Sequence, residues 1–361
     1  MRVVAKVGTS SITDARGVIN TDIIDSLCGQ IAVLRTQGHH VVLVSSGAVS
    51  AGVSALGFAS RPTDLLTLRA LSAAGQGRLM ECYNRALDRH QLVAAQALLV
   101  ANDFVDRRQY LHTRRTFDRL IELGCVTIVN ENDAIAGDEH RYGDNDRIAA
   151  LLANSISADV LVLLTDTPGV FSADPRLDTN ATLIQTVAAD DPLLSVRAGV
   201  SGSNRGSGGM ASKVSAAQLA SWSGLRAVIA QADRPNVLVD AVNDVQVGTT
   251  FLPSDRRLPA RKLWIGFACS VSGSVTVDAG ARVSLIERGT SLLPAGVIAV
   301  TGTFDEGDVI EVRDVADTTI ARGMVLSSAD TLRTVMGKRT VDVPSHVAHE
   351  VIHRDDLVML L

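Results

Sequence analysis

At 361 residues, with 46% apolar and 20% charged side chains, the chain is long enough for two domains and too apolar for global disorder. Aromatic residues make up only 3%, so its core must be built from Val, Leu, Ile and Ala. A net charge of −5 argues against a nucleic-acid surface, and four scattered cysteines without a CxxC pair argue against a disulfide framework or zinc site.

RVVAKV (2–7) is expected to form the first strand. It carries Lys6 just before the chain breaks at Gly8. A lysine is rarely buried without a partner, and the alternative is a strand-end side chain that snorkels to water. A helix opens near Asn20-Thr21-Asp22, with Ile23, Ile24, Leu27, Ile31 and Leu34 on one stripe. HVVLVSS (40–46) is the next strand and leads into VSSGAVSAG (44–52). Ser45, Ser46 and Gly47 there offer hydroxyls and amides to an anion. No histidine base lies nearby and the G-x-S-x-G spacing is missing, so binding is expected and a nucleophilic serine is not.

QLVAAQALLV (91–100) and CVTIVN (125–130) continue the strand pattern. The second runs into NENDAIAGDEHRYGDNDRIAALLA (130–153), where polar and acidic residues crowd both a strand end and a helix start. A helix N-cap needs one such side chain, worth about 1 kcal/mol. Asp144, Asn145 and Asp146 exceed that need, and with Asp133 they suggest a polar substrate pocket with cation affinity. VLVLLTD (160–166) ends in Thr165-Asp166 before a turn at Pro168-Gly169, which fits either a plain tight turn or a nucleotide contact.

SGSNRGSGGMASKVSAAQLA (201–220) places four glycines ahead of a helix whose first turns contain Lys213. Glycines allow close backbone approach, and a helix N-terminus offers free amides to phosphate. It is not a Walker A motif, because Lys213 comes four residues after Gly209. A surface loop with a capped helix is the alternative. RAVIAQ (226–231) follows as a strand.

Apolar strands separated by helices imply an α/β fold, a mostly parallel sheet covered on both faces, with ligands beyond the carboxyl ends of the strands. After about residue 260 the character changes. LPARKLWIGFACSVSG reads as a linker, and GSVTVDAG, GVIAVTGTFDEGDVIEVRD and TTIARGMVL read as short strands of a small β-rich domain. Residues 270–361 hold 8 Lys and Arg against 13 Asp and Glu, so this part lacks the basic footprint of an RNA partner. The N-terminal apolar run is too short for a signal peptide, and no apolar stretch approaches about 18 residues; a soluble, cytoplasmic protein with no membrane partner is expected.

In this order, KVGTS, VSSGAVSAG, VNENDA, GDND, LLTDTPGVFSADPR and GSGGMASK resemble the amino acid kinase family, and within it the glutamate 5-kinases, over essentially the whole chain. The tail GSVTVDAGARVSLIERGTSLLPAGV resembles the PUA domain appended to bacterial members. Ser45 and Ser207 stand where threonine is expected, which keeps the hydroxyl. The resemblance implies a three-layer αβα sandwich over 1–260 and a small PUA-like barrel over 270–361. It implies ATP-dependent phosphorylation of the γ-carboxylate of L-glutamate, the first step of proline synthesis, with Mg²⁺ carried by ATP and no metal ligand from the protein. Lys6 and Lys213 would face phosphate, held by Asp146. Ser46, Gly47, Asp133, Asp144 and Asn145 would bind glutamate. Thr165, Asp166, Ser207, Gly208, Gly209, Met210, Ala211 and Ser212, with both lysines, would contact ATP. A homo-oligomer (dimer or tetramer), feedback inhibition by proline and handover to glutamyl phosphate reductase are implied in the same way. The chemistry agrees with the missing base: a carboxylate nucleophile with a pKa near ~4.3 is already ionised at neutral pH.

Overall fold

The computed structural model describes residues 1–14, 17–104, 106–135, 145–189, 209–255, 260–268, 271–345 and 347–360. The chain divides into two compact units, Met1–Leu258 and Pro259–Leu361.

The first unit holds β1 (Arg2–Val7), β2 (His40–Ser45), β3 (Ala94–Leu99), β4 (Val126–Glu131), β5 (Val160–Thr165), β6 (Thr186–Val187), β7 (Arg226–Gln231) and β8 (Gly248–Phe251). They form one sheet in the order β3-β4-β2-β1-β5-β7-β8-β6. Every pair is parallel except β7 with β8. The helices are α1 (Thr9–Ile12), α2 (Thr21–Thr36), α3 (Ala48–Ala55), α4 (Leu65–Asp88), α5 (Arg107–Glu122), α6 (Asn145–Ser155), α7 (Met210–Trp222) and α8 (Val237–Val242).

Successive strand side chains point to opposite faces, and β1 shows what that does here. Val3, Ala5 and Val7 join a core with Leu27, Ile31 and Leu34 of α2, Leu79 and Tyr83 of α4, and Leu238 of α8. Val4 and Lys6 take the other parity, and α6 packs against β1 and α7. Lys6 therefore belongs to the face of α6 and α7 by register alone. Both faces of β1 are buried, as two helical layers require. The edge strand β3 differs from the expected apolar run: it is shorter and half exposed, because it has a neighbour on one side only.

Local chemistry starts the helices where the sequence suggests. The Asn20 side chain accepts from the Asp22 and Ile23 amides to open α2, and Asp64 accepts from Thr67 to open α4. Gly47 leaves β2 at φ 105, a left-handed conformation that favours glycine. Helices α3 and α4 cross at their glycines: a β-carbon on Gly75 would overlap the Ala48 carbonyl, and one on Gly52 would overlap that of Leu71.

The second unit contains α9 (Ala260–Leu263), a π-turn over Trp264–Ala268, β9 (Gly273–Val277), α10 (Ala279–Arg288), β10 (Val297–Gly302), β11 (Val309–Arg313), β12 (Thr319–Val325), α11 (Ala329–Val335) and β13 (Ile352–Met359). Its sheet runs β10-β9-β11-β12-β13, with β9 and β11 parallel and the other pairs antiparallel. It has its own core, including Val275, Leu285, Ile310, Val312, Leu332 and Ile352. The stretch expected to be a linker departs from that reading. Trp264 and Ile265 are buried, the π-turn packs on β12 and β13, and Arg322 donates to the Gly266 carbonyl. Apolar side chains that can reach a core do not remain a tether.

Candidate active site

The residues singled out for chemistry gather at the carboxyl ends of β1, β2, β4 and β5, where open parallel sheets bind ligands. Lys6, near the end of β1, is 4% exposed. Its Nζ lies 2.7 Å from Oδ1 of Asp146, and Nζ of Lys213 lies 3.3 Å from Oδ2 of the same carboxylate. The Ser212 hydroxyl donates to that Oδ2 at 2.7 Å. Asp146 stands in the first turn of α6, and Ser212 and Lys213 in the first turn of α7. One carboxylate thus holds two ammonium groups from elements some 140 and 67 residues away in the chain. Burial disfavours the Asp146 charge, yet Lys6, Lys213 and Ser212 outweigh it and hold the carboxyl at about 2. Burial and the neighbouring Lys6 charge push Lys213 down, with Asp146 opposing them.

Beside this triad lies a second polar cluster. Asn145 Nδ2 donates to Ser46 Oγ at 3.0 Å and to Asn130 Oδ1 at 2.9 Å, and its Oδ1 accepts from the Glu131 amide at 3.0 Å. Both amide hydrogens of Asn145 are therefore committed within the protein. Asn130 Nδ2 donates to Gln76 Oε1 at 2.8 Å. Asp133 is 7% exposed; its Oδ2 accepts from Ser72 at 2.6 Å, while Oδ1 takes no hydrogen bond. Burial pushes the Asp133 carboxyl up, against the Ser72 hydrogen bond and the Arg61 charge. Ser45, buried at the end of β2, shares a 2.7 Å hydrogen bond with the Tyr83 hydroxyl.

Thr165 Oγ1 donates to Asp166 Oδ1 at 3.1 Å just beyond β5. Gly209 precedes α7, with Met210 and Ala211 in its first turn. Asp144, Ser207 and Gly208 lie outside the described residues. Of the residues expected to act, the structure brings Lys6, Asp146, Ser212 and Lys213 into one cluster, and Ser46 and Asn145 into the next. Ser72, Gln76 and Tyr83 are additions that the sequence reading did not single out. They fall on one stripe of α4, at spacings of four and seven residues.

The profile of the amino acid kinase family matches residues 1–231, and that of the PUA domain matches residues 273–347. The chain belongs to the amino acid kinase family. Curated relatives carry the name glutamate 5-kinase. That of Herpetosiphon aurantiacus is 44% identical over 362 residues, covering 99% of this chain and 98% of its own. That of Thermoanaerobacter sp. (strain X514) is 41% identical over 364 residues, covering 100% and 98%. Among solved structures, carbamate kinase from Giardia lamblia bound to AMP-PNP aligns with 70% of this chain and 98% of its own. Its TM-score is 0.52 and its identity 18%, a likeness of fold. In this amino acid kinase the kinase and PUA parts follow one another in a single chain.

The family's chemistry implies a divalent cation with the nucleotide. Among the described residues no three His, Cys, Asp or Glu side chains gather to hold a metal, and Asp146 is already engaged by two cations. Two ammonium groups and a hydroxyl are donors, a set that complements phosphate oxygens and not a bare metal ion. Among the described residues no helix is long and apolar enough to cross a membrane.

Proposed function

We propose that this chain transfers the terminal phosphoryl group of ATP to the side-chain carboxylate of L-glutamate, giving L-glutamyl 5-phosphate, the first step of proline synthesis. The observation that carries the reading is the Lys6–Asp146–Lys213 cluster at the carboxyl end of β1, beside the Ser46–Asn145 and Asp133 cluster. Full-length similarity to glutamate 5-kinases supports the choice of substrate.

The reaction brings an anion up to a polyanion, so the main obstacle is electrostatic. No general base is needed, because the attacking carboxylate is ionised at neutral pH. Lys6 and Lys213 supply two positive charges against the single negative charge of Asp146, which leaves a net positive cluster for the transferring group. Asp146 also fixes where both ammonium groups sit before the nucleotide arrives, the kind of preorganisation that acts on the transition state. Mg²⁺ bound by the ATP phosphates would supply further charge neutralisation. Thr165, Asp166 and the Gly209–Lys213 segment form the nucleotide half of this reading.

On the substrate side, Asp133 Oδ1, buried and without a hydrogen bond, suits an α-ammonium group. The Ser46 hydroxyl and the Gly47 amide suit the α-carboxylate, and Asn145 acts through Ser46. Proline carries the same ammonium and carboxylate, so it would compete at this half, seen as an apparent glutamate KM that rises linearly with proline.

The test of the activity is a hydroxamate-trapping assay with Mg-ATP and a panel of acceptors: L-glutamate, L-aspartate, N-acetylglutamate, carbamate and UMP, with ADP release measured in parallel. Turnover with glutamate alone is expected. Turnover with another acceptor and none with glutamate would overturn the proposal.

A further inference from the structure

We infer that Gln76 is a positioning residue for substrate binding: together with the Glu131 main-chain N–H it clamps Asn130 in one amide orientation, and the chain of hydrogen bonds that follows leaves the Ser46 hydroxyl as a donor for the substrate's α-carboxylate. The inference rests on the kinase reading above and deepens its substrate half.

A side-chain amide can turn its oxygen or its nitrogen towards a neighbour, but a main-chain N–H can only donate. The Glu131 N–H lies 2.9 Å from Asn130 Oδ1 and 3.0 Å from Asn145 Oδ1, so both asparagines must turn their oxygens towards it. Their nitrogens then have fixed partners. Asn130 Nδ2 reaches Gln76 Oε1 at 2.8 Å, and Asn145 Nδ2 reaches Asn130 Oδ1 at 2.9 Å and Ser46 Oγ at 3.0 Å. Ser46 Oγ is an acceptor in this chain, and its own proton remains available. A half-buried hydroxyl with an acceptor site filled and its proton free can donate to a carboxylate oxygen.

Gln76 has no freedom either. Turned over, it would set its NH₂ against that of Asn130. In the orientation present, its Nε2 is buried without a hydrogen-bond partner, on a side chain only 9% exposed. An orphaned buried donor is destabilising, and an apolar side chain of similar length would remove it. The same replacement would orphan the buried Asn130 donor in turn, so the carbonyl half of the amide is what this position keeps. Holding the Asn130 donor matters beyond that one hydrogen bond. An Asn130 no longer held from its nitrogen can turn its oxygen away from Asn145 Nδ2, leaving the Glu131 N–H alone to set the orientation of Asn145 and with it the polarity of Ser46.

The experiment compares the full-length chain with its Gln76→Met and Gln76→Glu variants, measuring KM for glutamate, KM for ATP, kcat, Tm, and the preference for glutamate over its α-carboxamide. Gln76→Met removes one orphaned donor and leaves another on Asn130, so it is expected to fold with a Tm within a few degrees of wild type and to keep kcat and ATP KM. Its glutamate KM should rise about tenfold to hundredfold, the loss of one charge-assisted hydrogen bond, and its preference over the α-carboxamide should shrink by a similar factor. Gln76→Glu retains an acceptor for Asn130 and is expected to keep both readouts within about threefold of wild type. A Gln76→Met variant that folds with unchanged glutamate KM overturns the inference. So does a Gln76→Glu variant with wild-type Tm that is as impaired as Gln76→Met. Wild-type turnover of glutamate is the control. Its absence overturns the kinase reading itself, whereas wild-type turnover with an indifferent Gln76→Met variant overturns this inference alone.

Discussion

Asp146 meets two ammonium groups with one carboxylate, and the two sides of that arrangement respond differently to mutation. Lys6→Ala or Lys213→Ala should lower kcat by about 10²–10³ with little change in glutamate KM, as removal of one transition-state contact does. An unchanged kcat in either variant would remove the phosphate assignment. Asp146→Asn leaves two buried cations without a counter-charge, and a broken buried pair costs about 3–5 kcal/mol at neutral pH. The sign of the pH dependence follows from linkage. Burial and the Lys6 charge already depress Lys213 and only Asp146 opposes them. Without Asp146 the folded state therefore holds the Lys213 proton less tightly than the unfolded chain, and the variant's urea midpoint should rise as pH approaches the ordinary lysine range near ~10.4. In the wild-type chain the Asp146 carboxyl is depressed from 3.8 to about 2, so its stabilising contribution is complete above the unfolded value and disappears as pH falls through the folded one. Asp133 moves the opposite way. Its carboxyl is raised by burial, so on acidification it protonates before an ordinary aspartate, and glutamate KM should climb while ATP KM stays level. An Asp133→Asn variant with weaker glutamate binding and no such limb would agree; one that binds glutamate normally would sink the ammonium role.

At the scale of elements, α4 is the frame of the proposed substrate half. Its Gly75 faces the Ala48 carbonyl so closely that a methyl group cannot fit, whereas a β-carbon on Gly77, on the exposed side of the same helix, meets nothing within 4 Å. Gly77→Ala should stabilise by about 0.5–1 kcal/mol, the helix-propensity gain. Gly75→Ala should destabilise by about 1–3 kcal/mol or more and raise glutamate KM, because pushing α4 from α3 moves Ser72 and Gln76. Equal denaturant midpoints for the two variants would show that the crossing has slack. The same helix marks the limit of what the sequence reveals. The runs at 2–7, 40–46, 160–166 and 226–231 are legible as strands because they are apolar on both faces and end in unusual polar residues. Lys6, Asp146 and Lys213 stand out because a lysine in an apolar strand, a cluster of acids and a glycine-rich helix start each exceed what capping or solvation needs. Ser72, Gln76 and Tyr83 carry no such mark. Polar residues in a helix look solvated until a tertiary neighbour such as Asn130 or Ser45 buries them. The antiparallel turn of β8 and the two-residue β6 are equally silent, since they are set by partners rather than by periodicity.

At the scale of the whole molecule, the two units have separate cores. A chain truncated after Leu258 should unfold cooperatively and still release ADP in response to glutamate; loss of both would show that the second sheet completes the first. The acidic balance of residues 270–361 leads to a further expectation, no salt-sensitive gel shift of RNA at micromolar protein. The change of composition near residue 260 reveals that there are two units, but their border lies in side chains: Trp264 and Ile265 are buried in a turn that packs on β12 and β13.

The carboxylate shared by Lys6 and Lys213 has one more consequence. A cleft lined by bare cations would trap whatever small anion the cell contains, and sulfate or free phosphate would block it. Here one counter-ion is part of the polypeptide and offsets half of that charge before any ligand enters. On the proposed reading, a polyphosphate tail that spans both ammonium groups would gain two contacts where a single small anion gains one, and its length would become the password to the site.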